Sequence, residues 1–136
     1  MNREIFVDAG AWIALSNVRD KYHTAAIPVY QQLLHERWLL VTTDLVVAEA
    51  HVVIRRVGGY GPAMRFLESL RKTPRLIRMY ANAALDAQAE AILRRYADQD
   101  FSFADAVSFA VMQERGITEA FAFDQHFRTA GFALLP

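Results

Sequence analysis

The stretch IFVDAGAWIAL, residues 5–15, sets the interpretation of the whole chain. Its apolar run 5–7 predicts a buried strand that ends at Asp8. The small residues 9–11 predict a tight turn, and residues 12–16 predict a short helix. A strand that ends in a carboxylate just before a helix is an arrangement in which α/β proteins build active sites.

Strands and helices continue to alternate along the rest of the chain. Further strands are predicted over residues 38–42, 75–80, 118–123 and 132–134. Helices are predicted over residues 22–37, from Thr43 or Asp44 to Gly58-Gly59, from Gly61-Pro62 to Leu70, over 83–97, and from a Ser102 capping box to Arg115-Gly116. This order predicts an α/β fold with a central parallel sheet of four or five strands, covered by helices on both faces.

Composition narrows the class of protein. The chain has 136 residues, 54% of them hydrophobic, which suits one well-filled core and predicts a single domain over residues 1–136. It contains no Cys, which excludes disulfides and zinc–thiolate sites and is compatible with a reducing cytosol. Since no apolar run reaches membrane-spanning length, we expect a cytoplasmic protein without membrane partners.

The charges are balanced overall but unevenly distributed. A net charge of zero argues against a protein that coats nucleic acid through excess basic side chains. The middle of the chain is nonetheless basic, with Glu68 the only acid among Arg55, Arg56, Arg65, Arg71, Lys72, Arg75 and Arg78. This distribution is compatible with a basic rim around an acidic pocket, and equally with ordinary solvated helix faces.

Acidic residues far apart in the chain occur where strands end or helices begin. They are Asp8, Glu49, Asp105 and Asp124. If the strands lie parallel, their carboxylates meet at one edge of the sheet. Like charges at such an edge repel each other and need a cation, and oxygen ligands select hard ions such as Mg²⁺ or Mn²⁺.

Each acid also has an ordinary explanation. Asp8 could start a turn, Asp124 could cap the next helical turn, and Asp105 could pair with Ser102 in the capping box. Glu49 is harder to explain in this way, because apolar neighbours surround it and an acid on a buried helix requires a partner. A shared site accounts for all four residues together.

Other candidate sites are less favoured. A structural or surface role is favoured over metal ligation for the dispersed His23, His35, His51 and His126, of which His126 is nearest to a proposed ligand. The aromatic stretches 101–109 and 121–127 are more typical of core than of a base-stacking platform.

The chain resembles the PIN domain, and closely the VapC-type toxins of bacterial toxin–antitoxin pairs. The resemblance spans the whole chain and rests on the segments IFVDAGAWIAL, RDKYHTAA, TTDLVVAEA, DQDFSFADAVSFAVMQERGI and AFAFDQHFRTAGF, of which the last two are the most specific. It implies a parallel α/β/α sandwich and Mg²⁺- or Mn²⁺-dependent, endonucleolytic hydrolysis of RNA. The residues carried over by matching motif are Asp8, Glu49, Asp105 and Asp124.

The resemblance also implies roles and partners. Asp8 and Asp105 are assigned as the main ligands, and Glu49 and Asp124 as further ligands acting directly or through water. Phosphodiester hydrolysis needs an activated water and a counter-charge, and hard metal ions supply both. VapC-like proteins usually dimerise and are inhibited by a small VapB-like antitoxin, for which the helices over residues 46–70 are candidate surfaces.

The chain departs from the family pattern at two places. Many members carry a hydroxyl residue just after the first acid and another two before the fourth, whereas Ala9, Gly10 and Ala122 stand there. A catalytically weak module that binds RNA or antitoxin therefore remains an alternative. A response regulator is disfavoured, because the predicted strand 75–80 does not end in a phosphate-accepting Asp.

Overall fold

The computed structural model describes residues 3–136, in which strands and helices alternate. The strands are β1 (Glu4–Val7), β2 (Leu39–Thr43), β3 (Leu76–Met79), β4 (Glu119–Phe121) and β5 (Ala133–Leu135). The helices are α1 (Ala9–Ser16), α2 (His23–His35), α3 (Asp44–Gly58), α4 (Tyr60–Lys72), α5 (Ala83–Arg95), α6 (Phe103–Arg115) and α7 (His126–Thr129).

The strands form one sheet in the order β3-β2-β1-β4-β5, and every neighbouring pair is parallel. The carboxyl ends of all strands therefore lie at the same edge, with β1 in the centre. Helices flank the sheet, as expected for parallel strands joined by crossovers. The predicted α/β/α sandwich with a central parallel sheet is confirmed.

The core lies on both sides of β1, whose residues 5–7 are fully buried. Helix α6 is buried at every position from Ala106 to Met112, as predicted for a helix that is apolar all round. Its one polar residue there, Ser108, donates its hydroxyl to the Ala104 carbonyl at 2.9 Å. Within residues 3–136, no helix combines the length and the apolar character needed to cross a membrane.

Side-chain caps begin the helices where the sequence predicts them. The side chains of Thr43 and Asn82 each accept a backbone N–H three residues later, at 3.1 and 2.9 Å, and so begin α3 and α5. The predicted capping box of Ser102 begins α6. Helix α6 ends at Gly116, whose φ of 69° is the left-handed conformation that glycine adopts without strain.

The predicted turn over residues 9–11 is wrong. Helix α1 begins at Ala9, because the backbone N–H groups of Ala11 and Trp12 both donate to the Asp8 carbonyl, at 3.1 and 3.3 Å. Asp8 therefore stands directly at the start of α1. Small residues that resemble a turn in sequence form its first helical turn.

Strand β4 is also shorter than predicted. It ends at Phe121, so Ala122 and Phe123 lie beyond the strand and Asp124 is three residues past its end. The Ala122 N–H still donates to the Leu135 carbonyl at 3.1 Å, which extends the backbone contact with β5. Most other predicted element ends differ from the observed ones by one or two residues.

Candidate functional site

Asp8 follows the central strand and precedes α1. Its N–H donates to the Phe121 carbonyl at 3.1 Å, which fixes the residue between β1 and β4. Only 8% of its surface is exposed. Although Asp8 occupies the N-cap position, its side chain makes no capping hydrogen bond. The backbone N–H of Ala9 lowers the pKa of the buried carboxyl group but offsets only part of the cost of burying it.

A buried threonine fixes the direction in which the chain leaves β1. The Thr42 hydroxyl donates to the Val7 carbonyl at 2.9 Å and accepts the indole N–H of Trp12 at 3.3 Å. These bonds join β2, the end of β1 and the middle of α1. Because Asp8 lies between Val7 and α1, the Thr42 contacts hold its backbone in place.

The charges of the four predicted acids interact. Burial above all, and then the nearby charges of Asp105, Glu49 and Asp124, raise the pKa of Asp8 to about 7, although a hydrogen bond from the Ala9 N–H acts in the opposite direction. Burial, and then the charges of Asp105 and Asp124, also raise the pKa of Glu49. The structure thus places all four carboxyl groups in one electrostatic neighbourhood at the carboxyl edge of the sheet.

Asp105 is both a helix cap and a member of this cluster. Its Oδ2 accepts the Ser102 N–H at 3.1 Å, and its own N–H donates to the Ser102 hydroxyl at 3.0 Å, so the capping box is complete. The same Oδ2 lies 3.0 Å from Nδ1 of His126. The Asp105 side chain is 12% exposed.

His126 joins Asp105 to Asp124. The ring Nδ1 of His126 is also 3.4 Å from Oδ2 of Asp124, and the backbone N–H of His126 donates to Oδ1 of Asp124 at 2.9 Å. His126 was not assigned to the site from the sequence, because it is 21 residues from Asp105 and the two side chains come together only in the folded protein. The one available signal was its position two residues after Asp124.

The histidine geometry indicates an orienting role. A ring nitrogen at hydrogen-bonding distance from a carboxylate oxygen carries the proton and donates it. The Nδ1 of His126 is therefore a donor to Asp105 in this arrangement. The ring also packs edge-on against Phe101, with centroids 5.3 Å apart. Such contacts fix the orientation of metal-binding carboxylates in many proteins.

The prediction that its apolar neighbours bury Glu49 on helix α3 is wrong. Helix α3 buries a stripe at helical spacing that consists of Val46, Val47, Ala50 and Ile54. Glu49 lies off this stripe and is exposed, as are Ala48 and Val52. Helix α3 is thus amphipathic, and Glu49 is reached by solvent yet partly enclosed by protein, which is why burial still raises its pKa.

The donor set suits a hard divalent cation. In the described part of the chain, the tightest group of possible ligand atoms belongs to Asp105, Asp124 and His126, all within 4.8 Å of one another. Asp8 and Glu49 lie outside that group but inside the same field of negative charge. Carboxylate oxygens gathered in this way are the ligands that Mg²⁺ and Mn²⁺ bind well.

Comparison with known proteins gives a consistent result at the level of sequence. Residues 5–133 match the PIN domain family. The 23S rRNA-specific endonuclease VapC20 of Mycobacterium tuberculosis is 34% identical over 128 residues, which are 94% of this chain and 95% of VapC20. The same relative was found in two strains of that organism.

Solved structures agree with the sequence match. The crystal structure of M. tuberculosis VapC20, described as a Sarcin-Ricin loop cleaving toxin, superposes with a TM-score of 0.82 at 33% identity, covering 95% of this chain and 96% of that one. FitAcB from Neisseria gonorrhoeae superposes with a TM-score of 0.62 at 16% identity, covering 97% and 96%, which supports the fold alone. The family match over residues 5–133, the 34% identity to VapC20 and the superposition of the two structures agree. This chain therefore belongs to the PIN domain family.

Proposed function

We propose that this protein is a metal-dependent endoribonuclease of the VapC type, the toxin of a VapBC-like toxin–antitoxin pair. One observation carries the proposal above all. Asp8 is buried at the carboxyl edge of the central strand, where burial and three further carboxylates raise its pKa to about 7. Such an arrangement is unfavourable for the protein alone and becomes favourable when a divalent cation neutralises it.

The residues take the following roles in this proposal. Asp8 and Asp105 are the main ligands of Mg²⁺ or Mn²⁺, and Glu49 and Asp124 are further ligands. His126 donates to Oδ2 of Asp105 at 3.0 Å and holds that carboxylate in one orientation. When bound, the ion supplies water activation at neutral pH and counter-charge for the phosphorus centre and the departing oxygen.

The substrate is RNA in a single-stranded or looped region. The relative VapC20 is named as specific for 23S rRNA and matches this chain over almost its full length. We therefore propose a ribosomal RNA loop as the first substrate to test. The exposed Arg55, Arg56, Arg65, Arg71 and Lys72 are candidates for contacts with neighbouring phosphates.

The direct test is RNA cleavage by purified variants. Asp8→Asn and Asp105→Asn should each lower Mn²⁺-dependent cleavage by about 1,000-fold or more, because each removes a charge that the ion needs. Asp98→Asn is the matched control, since Asp98 is an exposed loop acid just before α6 and is not assigned to the site. Undiminished cleavage by Asp8→Asn or Asp105→Asn would refute the assignment.

An antitoxin and a second copy of the chain are the proposed protein partners. A cavity of about 350 Å³ between α1, α2 and α4, lined by Trp12, Tyr30 and Phe66, supports an apolar docking segment of the antitoxin. The exposed Val52 and Val57 of α3 support self-association. Light scattering of the protein alone and with the product of the adjacent gene tests both. A monomer that binds no such product contradicts the partner proposals.

The alternative is a catalytically weak module that binds RNA or antitoxin. Its support is the absence of hydroxyl groups at the buried Ala9 and Ala122. A Mn²⁺ titration combined with RNA turnover separates the two functions. Tight metal binding without cleavage of several RNAs, the ribosomal loop among them, favours the binding module.

The remaining parts of the proposal concern extent and location. We infer that residues 1–136 are one domain, which is supported by one cluster of buried apolar side chains drawn from both ends of the chain. A cytoplasmic location follows from the proposed substrate, because ribosomal RNA is found there.

A further inference from the structure

The aromatic residues near the site are divided between core and surface. Phe101, Phe109, Phe121 and Phe127 are buried, as the sequence predicts. Phe123 is different, because it lies beyond β4, is only partly buried and immediately precedes Asp124 in the sequence. What Phe123 contacts therefore bears on how substrate approaches the acidic cluster.

Tyr22 covers Phe123 in a parallel stack. The ring centroids are 4.3 Å apart and the planes differ by 5°. Tyr22 is itself 37% exposed, so the pair is a surface feature. This parallel, offset arrangement is one that aromatic rings prefer, and it leaves the outer face of Tyr22 parallel to the stack, so that a further flat ring can be added to it.

The pair packs on the helix that begins after Asp8. A Cβ on Gly10, in the first turn of α1, would lie 3.9 Å from Cβ and Cδ2 of Phe123, so the Phe123 side chain packs on the helix that Asp8 begins. Phe123 thus lies between Tyr22 and the start of α1. The stack lies against two of the segments that carry the acids, the first turn of α1 after Asp8 and the segment that leads into Asp124.

Hydrogen bonds hold Tyr22 in its position. Its N–H donates to Oδ1 of Asp20 at 2.8 Å, and the adjacent His23 bonds the Ala14 carbonyl of α1 through Nδ1 at 2.7 Å. The segment before α2 is therefore tied to α1. A side chain that is preorganised in this way loses little freedom when it binds a ligand.

Lys21 places a cation over the Tyr22 ring. Its Nζ is 4.9 Å from the ring centroid, and Lys21 is exposed. The contact of an exposed cation with an aromatic ring is weaker than the stacking of a nucleobase on such a ring. A base can therefore displace the ammonium group, which remains close enough to contact a phosphate.

We propose that the stacked pair Tyr22–Phe123 is a platform for a nucleobase next to the cleaved bond, with Lys21 contacting a flanking phosphate. The proposal deepens the RNA-cleaving function and rests on it. Its physical reason is that the ion and the carboxylates act on one phosphate only, so a contact with a neighbouring base is needed to position the nucleotide beside it. Stacking provides this contact for any base.

The first experiment compares variants of Tyr22 on an RNA loop whose cleavage point has been mapped. Tyr22→Leu, which still covers Phe123 but lacks a flat face, should raise KM about 10-fold and change kcat by less than about two-fold. Tyr22→Phe and Tyr22→Trp should retain wild-type KM. Equal KM values for Tyr22→Leu and the unaltered protein would overturn the platform.

Tyr80→Leu is the matched control. Tyr80 is 61% exposed and has Arg78 over its ring at 5.2 Å, but it follows β3, three strands from β4 and roughly 14 Å away by strand spacing. Its replacement should leave KM unchanged. If Tyr80→Leu raised KM as much as Tyr22→Leu, the loss of any exposed aromatic side chain would have the same effect. That result would overturn the specific role of Tyr22.

The second experiment removes the base instead of the side chain. An abasic nucleotide on one side of the cleaved bond should raise KM about 10-fold for the unaltered protein and have little further effect on Tyr22→Leu, because both changes remove the same contact. Additive losses would overturn the proposal.

Binding provides a readout that is independent of cleavage. The fluorescence of 2-aminopurine at the same nucleotide should be quenched on binding to Asp8→Asn, and much less on binding to the double variant with Tyr22→Leu. Quenching by the platform without any cleavage by the unaltered protein would refute the nuclease function and keep the platform. Cleavage by the unaltered protein, together with equal quenching in both variants, would refute the platform and keep the nuclease function.

Discussion

Two helix starts at the same edge of the sheet each carry an acidic residue, and they differ in how its charge is accommodated. Oδ2 of Asp105 accepts the Ser102 N–H and lies 3.0 Å from Nδ1 of His126. Asp8 occupies the N-cap of α1 without a side-chain capping bond, and burial raises its pKa to about 7. Asp105 therefore supports the fold, whereas ionised Asp8 opposes it.

This difference separates structural from functional reasons for an acidic residue. Asp105 has both, since its carboxylate completes a capping box and belongs to the cluster. The burial of Asp8 costs more than its hydrogen bond from the Ala9 N–H returns, and residues that reduce the stability of their own fold are concentrated at functional sites. Asp8 is for this reason the more informative of the two about function.

The largest expected effect on stability comes from Asp8→Asn in metal-free protein. Removing the buried charge should raise the free energy of unfolding at about pH 8 by ~2–4 kcal/mol, since each pKa unit corresponds to about 1.4 kcal/mol. Urea unfolding in EDTA measures this change. Asp98→Asn should stay within about 0.5 kcal/mol of the unaltered protein. A destabilised Asp8→Asn would contradict the comparison.

The pH dependence of stability sharpens the same point. The pKa of Asp8 rises from 3.8 when unfolded to about 7 when folded, so the folded state holds this proton more tightly. The stability that Asp8 contributes is therefore complete below 3.8 and is lost as pH rises through about 7. The raised pKa of Glu49 acts in the same direction.

Metal-free protein should accordingly become less stable as the pH rises from about 5 to about 8. In Asp8→Asn, stability should depend less steeply on pH over the same range. Thermal unfolding in EDTA across this range tests the expectation. Excess Mn²⁺ should reverse the trend at high pH, because the ion binds ionised carboxylates and stabilises only the folded state. A metal-free slope that is equal in both proteins would contradict the role given to Asp8.

A smaller effect is expected at His126. His126→Ala removes the donor to Asp105 and should weaken Mn²⁺ binding about 10-fold, because partners of metal-binding carboxylates fix their orientation. Isothermal titration calorimetry measures the dissociation constant. His35→Ala, an exposed position at the end of α2, is the control. Unchanged binding by His126→Ala would restrict His126 to packing against Phe101.

The smallest effect concerns the cap itself. Ser102→Ala should lower the free energy of unfolding by about 1 kcal/mol, because it removes the hydroxyl that accepts the Asp105 N–H. Thr43→Ala, which removes the corresponding cap of α3, should show a loss of similar size. Chemical denaturation measures both. A stability unaffected by Ser102→Ala would contradict the structural half of the comparison.

Much of the fold could be predicted because local signals agreed with the final packing. Apolar runs marked the strands, and Thr43, Asn82 and Ser102 marked three helix starts through side-chain bonds that span only three residues. The start of α1 could not be predicted in this way. Gly10 resembles a turn residue in sequence, and only the bonds to the Asp8 carbonyl make its segment helical.

The acidic residues of the candidate site could be predicted, but their environment could not. Parallel strands bring their carboxyl ends to one edge whatever the details of packing. The exposure of Glu49 depends on which stripe of α3 is buried. The contact of His126 with Asp105 depends on where α7 lies against α6, which no short segment of sequence determines.

The capping box also bears on how such a gene would lose its toxicity. Substitution of Asp105 removes a helix cap along with a proposed metal ligand and so lowers stability, whereas substitution of Asp8 by a neutral residue relieves a buried charge. Among copies that have lost toxicity, those altered at Asp8 should therefore accumulate as folded protein to a higher level than those altered at Asp105.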